Sequence, residues 1–227
     1  MVLDTVDILM GSKEKHAIDV LTNFGKLIDA VIATHPFHTM FFAPFNELYP
    51  GLPYFGTPRH LRNIQSVKWS GSLNDEAVRS KWEHEGIFMR IPDGTDFIYP
   101  TKHFAAVFVF HEGSKTLFVD DTLCYWQNPS FLQQTLLGAR KGTLNFHATA
   151  NKEDLYLNAE SPLLFLKWTR QIIVDWDFCN ICTAHSGNLI GSGKEQLGIL
   201  VEASYGRLRL VSEKIKRSEK AKITMKK

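Results

Sequence analysis

LIDAVIATHPFH, residues 27–38, is the stretch of sequence from which the fold can be read. Leu27 to Ala33 is almost continuously apolar, which is typical of a strand that is covered on both faces. Upstream, Val2 to Leu9 predicts a first strand. Ser12 is a good helix N-cap, and the apolar spacing after it predicts a helix over Lys13 to Phe24. The chain is therefore predicted to open with a β-α-β unit.

Beyond residue 38 the pattern becomes mainly β and then returns to helix, strand and helix. This order predicts an α/β fold of layered type, with a single domain over residues 1–212 and a basic, flexible tail over residues 213–227. The predicted elements are a Phe-rich helix after residue 40, strands at Phe104–Phe110 and Thr116–Val119, helices at Leu132–Leu137 and Leu163–Val174, a buried strand at Phe178–Thr183 and a last helix at Gly193–Ser212.

Composition narrows the class of protein. The net charge is +2, from 26 basic and 24 acidic side chains, which gives no electrostatic reason to expect a nucleic-acid partner. Three cysteines in 227 residues argue against a disulfide scaffold. The sequence contains neither a signal-peptide pattern nor an apolar run long enough to span a membrane. A reducing, cytoplasmic setting is the expectation.

Polar groups that can bind metals follow several of the predicted strands. His35 and His38 come after the strand at residues 27–33, Asp120 and Asp121 come after Thr116–Val119, and His185 follows the strand near residue 183. His103 directly precedes the strand at residues 104–110. Imidazole and carboxylate ligands suit zinc, with iron and manganese as alternatives. A metal with an open coordination position makes hydroxide available at neutral pH.

In their order along the chain these motifs resemble those of the metallo-β-lactamase superfamily. Thr34-His35 matches the start of the Thr-His-x-His-x-Asp-His motif of that family, and His103 lies where the second motif is expected. Asp120-Asp121-Thr122-Leu123 is similar to Gly-Asp-Thr-Leu, so that Asp121 matches the Asp that bridges two metals. His185, in Ala-His-Ser-Gly, resembles the final His motif. The resemblance covers residues 2–205 and implies a layered αββα sandwich.

The chain departs from this family pattern in its first motif. Phe37, Thr39 and Met40 stand where a ligand His, Asp and His are expected, and His38 comes one position late. Asp120 replaces the Gly that precedes the bridging Asp. The N-terminal strand pair of the family is mostly missing, so the fold is expected to be truncated at its N-terminus. The resemblance thus leaves open one metal ion, two, or none.

Two functions follow from the resemblance. The first is a metal-dependent hydrolase that uses metal-bound hydroxide on a small-molecule ester, lactone, thioester or phosphoester, with His35, His38, His103, Asp121 and His185 as ligands and Asp121 as the catalytic residue. Arg59, His60 and His147 could then contact an anionic substrate. The second is a catalytically silent protein of the same fold that binds a ligand or a protein partner. Its binding surface could include Phe37, Phe41, Phe42 and Phe45, but a cluster of this kind is more often part of the core. The sequence does not predict an oligomeric state.

Overall fold

The structure, a computed structural model, describes residues 1–3, 12–95, 106–137, 139–153 and 156–224. It divides into two units, residues 1–81 and residues 82–227. Strands and helices alternate in the first unit and are mixed in the second, which confirms the predicted α/β class. The prediction of a single domain over residues 1–212 remains a prediction.

The first unit is a four-stranded parallel sheet whose strands lie side by side in sequence order. Each strand is followed by a helix, as parallel neighbours require. Its elements are β1 (Val2–Leu3), α1 (Lys13–Thr22), β2 (Val31–Ala33), α2 (Phe42–Leu48), β3 (Tyr54–Gly56), α3 (Pro58–Asn63), β4 (Trp69–Ser72) and α4 (Glu76–Arg79).

The predicted opening β-α-β unit is present, but its elements are shorter than predicted. Helix α1 ends at Thr22 because Asn23 adopts a left-handed conformation with φ of 49°. The strand predicted from Leu27 is regular only over Val31–Ala33. Residues 4–11, which include most of the first predicted strand, lie outside the described residues.

The core of the first unit lies against strands that are buried along their whole length. β2 and β3 have no exposed position, which is why their sequences are apolar without alternation. Phe42 and Phe45 of α2 are each 1% exposed and pack with Tyr54 and other apolar side chains. Two of the four phenylalanines predicted to form a binding surface are therefore core residues.

The second unit is built on a five-stranded mixed sheet of order β11-β10-β7-β6-β5. Its pairs are antiparallel except β7–β10, which is parallel. A separate antiparallel pair is formed by β8 and β9. The elements are β5 (Ile87–Arg90), β6 (Phe108–His111), β7 (Thr116–Asp120), β8 (Leu123–Trp126), α5 (Phe131–Leu137), β9 (Thr143–Phe146), α6 (Ser161–Asp175), β10 (Asn180–Thr183), β11 (Asn188–Leu189) and α7 (Gly193–Thr224).

Helices α6 and α7 supply much of the core of the second unit. Phe165 and Ile172 of α6 are fully buried, as is Val201 of α7. The helix predicted to end at Ser212 continues to Thr224, and Ile215 is 7% exposed within the same core. The start of the predicted tail is thus helical, because the apolar face of α7 continues past residue 212. No helix among the described residues is long and apolar enough to cross a membrane.

A first prediction tests this extension of α7. Replacing Ile215 with Ala should lower the free energy of unfolding by about 2–4 kcal/mol, because it removes a buried aliphatic side chain. Lys216→Ala, at the exposed next position, should change it by less than about 0.5 kcal/mol. Urea unfolding measures both. Equal, near-zero effects would mean that this segment does not pack.

A second prediction compares two tyrosines of the first unit. The Tyr49 hydroxyl donates a hydrogen bond of 2.8 Å to Asp19 Oδ1, whereas the Tyr54 hydroxyl is buried and has no hydrogen-bond partner among the described residues. Tyr49→Phe should destabilise the protein by about 1 kcal/mol, and Tyr54→Phe should leave its stability unchanged or raise it by up to about 1 kcal/mol. Urea unfolding distinguishes them, and a larger loss for Tyr54→Phe would contradict the assignment.

Candidate functional site

His35 and His38 lie in the loop that follows β2, at the carboxyl edge of the parallel sheet. Thr34 and His35 are buried, with exposures of 0% and 1%, and His38 is half-buried. A turn in which the His38 N–H donates to the His35 carbonyl, at 3.0 Å, brings the two imidazole rings to 4.5 Å between centroids. Loops at this edge of an α/β sheet commonly carry function. The structure thus brings the two predicted histidines together.

The His35 ring also contacts its own loop. The Phe37 N–H donates a hydrogen bond of 3.3 Å to His35 Nδ1, which is long for such a bond. In the neutral ring this leaves the proton on Nε2.

His60 is buried beneath the same loop. It is the third residue of α3 and forms a reciprocal capping box with Thr57, whose N–H donates to His60 Nδ1 at 3.2 Å. Its other nitrogen donates to the His38 carbonyl at 2.8 Å. Burial lowers the pKa of His60 to about 4, so the ring is neutral at pH 7. Both ring nitrogens of His60 form hydrogen bonds with the backbone, so the predicted contact with substrate would require one of these bonds to break.

Arg59, the other predicted anion-binding residue of this region, packs against the loop. Its guanidinium carbon lies 4.4 Å from the centroid of the Phe37 ring, an arrangement that is favourable for a cation over an aromatic face. Phe37 and Phe41 are half-buried, unlike Phe42 and Phe45. A contact between Arg59 and a substrate anion remains a prediction.

In the second unit, Asp121 and His185 follow two adjacent parallel strands. β7 and β10 pair so that Thr183 lies beside Asp120, and the residues that follow emerge at the same edge. His185 Nε2 lies 3.6 Å from Asp121 Oδ1. Two ligands of a tetrahedral zinc ion lie about 3.3 Å apart, given bonds of about 2.0–2.2 Å. The two side chains therefore have a spacing that a shared metal ion could occupy with little movement.

Asp120 explains a departure from the family motif. It adopts a left-handed conformation with φ of 52°, which is the kind of backbone position that glycine usually fills. Aspartate tolerates this conformation better than most residues. Its side chain is fully buried, and Oδ1 accepts a hydrogen bond of 2.8 Å from the Asp121 N–H. The sequence placed Asp120 among the groups that can bind metals, but the predicted ligand set included only Asp121. The left-handed backbone angle of Asp120 has no signal in the sequence.

The loop that carries His185 is fixed by hydroxyl groups. Thr183 Oγ1 lies 2.9 Å from Ser186 Oγ and accepts a hydrogen bond of 3.2 Å from the Gly187 N–H. Ser186 Oγ accepts another, of 2.8 Å, from the Tyr125 N–H of β8. The backbone on both sides of His185 is thereby anchored, while its side chain is 70% exposed. This holds the imidazole near Asp121 and accessible to solvent.

Two further residues, Cys124 and His147, lie near the Asp121 turn. Burial raises the pKa of the Cys124 thiol to about 11, with the Asp121 charge as a smaller cause, so this thiol is protonated and a poor nucleophile at pH 7. The His147 N–H donates to the Thr122 carbonyl at 3.1 Å, which ties the end of β9 to this turn. The His147 ring accepts from Thr149, as an N-cap. Its accessory role remains a prediction, and His103 lies outside the described residues.

Comparison with known proteins gives a likeness of structure only. No protein-family model matches the sequence, and no curated protein matches it. Among solved structures, the metallo-β-lactamase FIM-1 from Pseudomonas aeruginosa, in its mono-zinc form, has a TM-score of 0.50 at 11% identity, with 89% of this chain and 78% of that chain covered.

Other metallo-β-lactamases match at slightly lower scores. DIM-1 gives a TM-score of 0.49 at 12% identity, covering 83% of this chain and 74% of that one. The enzyme from Hirschia baltica gives 0.48 at 14% identity, covering 87% and 74%. At such identities the likeness concerns the backbone and says nothing of activity. The chain has a metallo-β-lactamase-type fold.

Proposed function

We propose that this protein is a metal-dependent hydrolase whose metal ligands are His35, His38, His103, Asp121 and His185, for one ion or two. The residues fit such a group by their chemistry, because imidazole nitrogens and carboxylate oxygens are the ligands that zinc and similar cations accept. Asp120 offers a further carboxylate, and His35, His38, Asp120 and Asp121 can each supply one ligand atom.

The observation that carries the proposal is the Asp121–His185 pair. The two residues are 64 positions apart in sequence and belong to different loops, yet their ligand atoms lie 3.6 Å apart. Thr183 and Ser186 fix the loop around one member, and Asp120 fixes the backbone of the other. These bonds fix the backbone from which the two side chains extend.

When bound, the metal supplies Lewis acidity, which lowers the pKa of water and polarises the bond under attack. The roles of the chain's own residues follow from their contacts. Asp121 and His185 hold ligand atoms at the edge of the second sheet, and His185, being exposed, is open to solvent. In the first unit, His60 holds the loop of His38 through its carbonyl. Small-molecule esters, lactones, thioesters and phosphoesters are the substrate classes proposed.

Zinc is the first metal to test. The FIM-1 structure is a mono-zinc form, and the altered first motif of this chain likewise supports a single ion better than two. Imidazole and carboxylate ligands also suit iron or manganese, so elemental analysis must identify the bound metal.

The third prediction concerns metal content. Protein purified without a histidine tag or chelator should contain about one equivalent of metal by elemental analysis, since the donor set supplies at least three ligands. His35→Ala/His185→Ala should lose it, because each substitution removes an imidazole ligand. The control His111→Ala removes an exposed imidazole that contacts Ser114 on a distant turn and should retain the metal.

Absence of metal from the wild-type protein, even after reconstitution with zinc, iron or manganese, would contradict this proposal. It would leave the silent binding module as the function of this fold. Equal loss of metal from the His111 control would show that the assay reports folding and not ligation.

The fourth prediction separates the two neighbouring carboxylates. Asp121→Asn should lower the rate of model-ester hydrolysis by more than about 100-fold, because loss of groups that only support a ligand already costs about 10–100-fold. Asp120→Gly should retain metal and lose less activity, at most about 10–100-fold, because glycine adopts the left-handed conformation of this position without strain but removes the hydrogen bond to the Asp121 N–H. Turnover of p-nitrophenyl acetate and metal content are measured together. Loss of metal from Asp120→Gly alone would make Asp120 the ligand instead.

A further inference from the structure

The last part of α7 concentrates the positive charge of the chain. Residues 207–221 contain six basic and two acidic side chains, whereas all other positions together contain 20 basic and 22 acidic ones. The six basic residues are Arg207, Arg209, Lys214, Lys216, Arg217 and Lys220, and all lie on the helix. A charge asymmetry of this size indicates an anionic partner.

Three of these cations line one groove. Arg207, Lys214 and Arg217 are spaced by seven and three positions, which places them on the same side of the helix. They border a groove of about 320 Å³ together with Leu210, Val211, Glu213 and Asn151. Three of the six cations of this segment therefore share one side of the helix.

Carboxylates of the protein neutralise only part of this charge. Arg209 pairs with Glu213 at 3.0 Å, and Lys214 lies 3.9 Å from Glu153 at a distance that gives a weak pair. Among the residues that the structure describes, Arg207, Lys216 and Arg217 have no carboxylate within 4.0 Å. The surface therefore keeps a net positive potential.

An exposed leucine lies among these cations. Leu210 is 60% exposed, and Ile199, which is 58% exposed, lies on the same stripe of the helix before the first cation. The opposite stripe, with Leu208, Val211 and Ile215, is buried in the core, so Leu210 and Ile199 face outward.

Basic side chains beside exposed aliphatic side chains suit the surface of an anionic bilayer, where charged headgroups lie above an apolar region. Headgroups attract the cations, and the region just below them accepts Leu210 and Ile199. Nucleic acid would satisfy the cations but offers no apolar phase for the aliphatic side chains. We propose that the outer face of α7, centred on Arg207, Leu210, Lys214 and Arg217, docks the protein on anionic lipid membranes.

Vesicle co-sedimentation of the full chain tests this docking. The protein should bind vesicles of phosphatidylcholine mixed with phosphatidylserine, should not bind phosphatidylcholine alone, and should dissociate as salt screens the charges. Arg207→Glu/Arg217→Glu should weaken binding by at least about 25-fold, since each basic residue near an anionic surface contributes about fivefold. The control Arg140→Glu/Lys141→Glu makes the same change of charge in an exposed turn before β9 and should bind like wild type.

Leu210 is tested separately. Leu210→Gln should weaken binding to the same vesicles with no change of charge, whereas Leu164→Gln, at a 41% exposed position of α6, should not. Circular dichroism at the same temperature confirms that each variant is folded.

Each contrary result overturns the proposal. Failure of the wild-type protein to bind phosphatidylserine vesicles would do so, as would equal losses in the two charge-reversed doubles, which would indicate net charge alone. Binding of an RNA or DNA oligonucleotide in place of vesicles, lost in Arg207→Glu/Arg217→Glu, would assign this face to nucleic acid.

Discussion

The parallel pairing of β7 with β10 is the constraint on which the candidate site of the second unit depends. Two parallel neighbours end at the same edge of a sheet, so the residues after them must meet. The chain crosses from β7 to β10 through α6, and the bends that follow the two strands set the positions of Asp121 and His185. Asp120 turns the chain through a left-handed angle, and Thr183 closes the loop on the other side. The backbone geometry of these two loops therefore brings the ligand atoms of Asp121 and His185 close together.

The candidate ligands of the first unit also follow a strand of a parallel pair, but His35 is far more buried than His185. His35 is 1% exposed, Thr34 and Thr57 are fully buried, and a neutral histidine, His60, supports the loop from below. His185 is 70% exposed on its side chain. The histidines of the first unit are therefore held by the interior, whereas His185 is held only through its backbone. Metal binding, as proposed, would restrict the motion of the exposed His185 imidazole far more than that of the buried His35 imidazole.

Sequence reasoning recovered the α/β class and most of the longer elements, because continuous apolar runs and helical spacing carry strong signals. It missed short strands such as β4, whose sequence Trp-Ser-Gly-Ser has little apolar content and is specified by pairing with β3. It ended α7 too early, because the charged residues of its last turns concealed the buried positions among them. Ile215 is the clearest case.

For the site, the order of residues along the chain located the loops, but it did not show which side chains are buried or what they contact. The loops of His35, Asp121 and His185 could be located from the strands that precede them. Burial could not be read in the same way. His60 and Arg59 are adjacent in sequence, yet one is a neutral ring enclosed by backbone groups and the other packs on Phe37. The role of Asp120 depends on a backbone angle that no residue pattern reveals.

The length and position of α7 have a consequence for biosynthesis. The five-stranded sheet needs the apolar stripe of this helix, yet β5, β6 and β7 leave the ribosome many residues before it does. During that interval α6 and the neighbouring strands can cover Phe108, Leu117 and their neighbours, but the part of the core that α7 supplies is still missing. Such an interval is where chains aggregate, and chaperone binding to these strands is the expected safeguard. The second unit is thus one whose folding waits on its final helix.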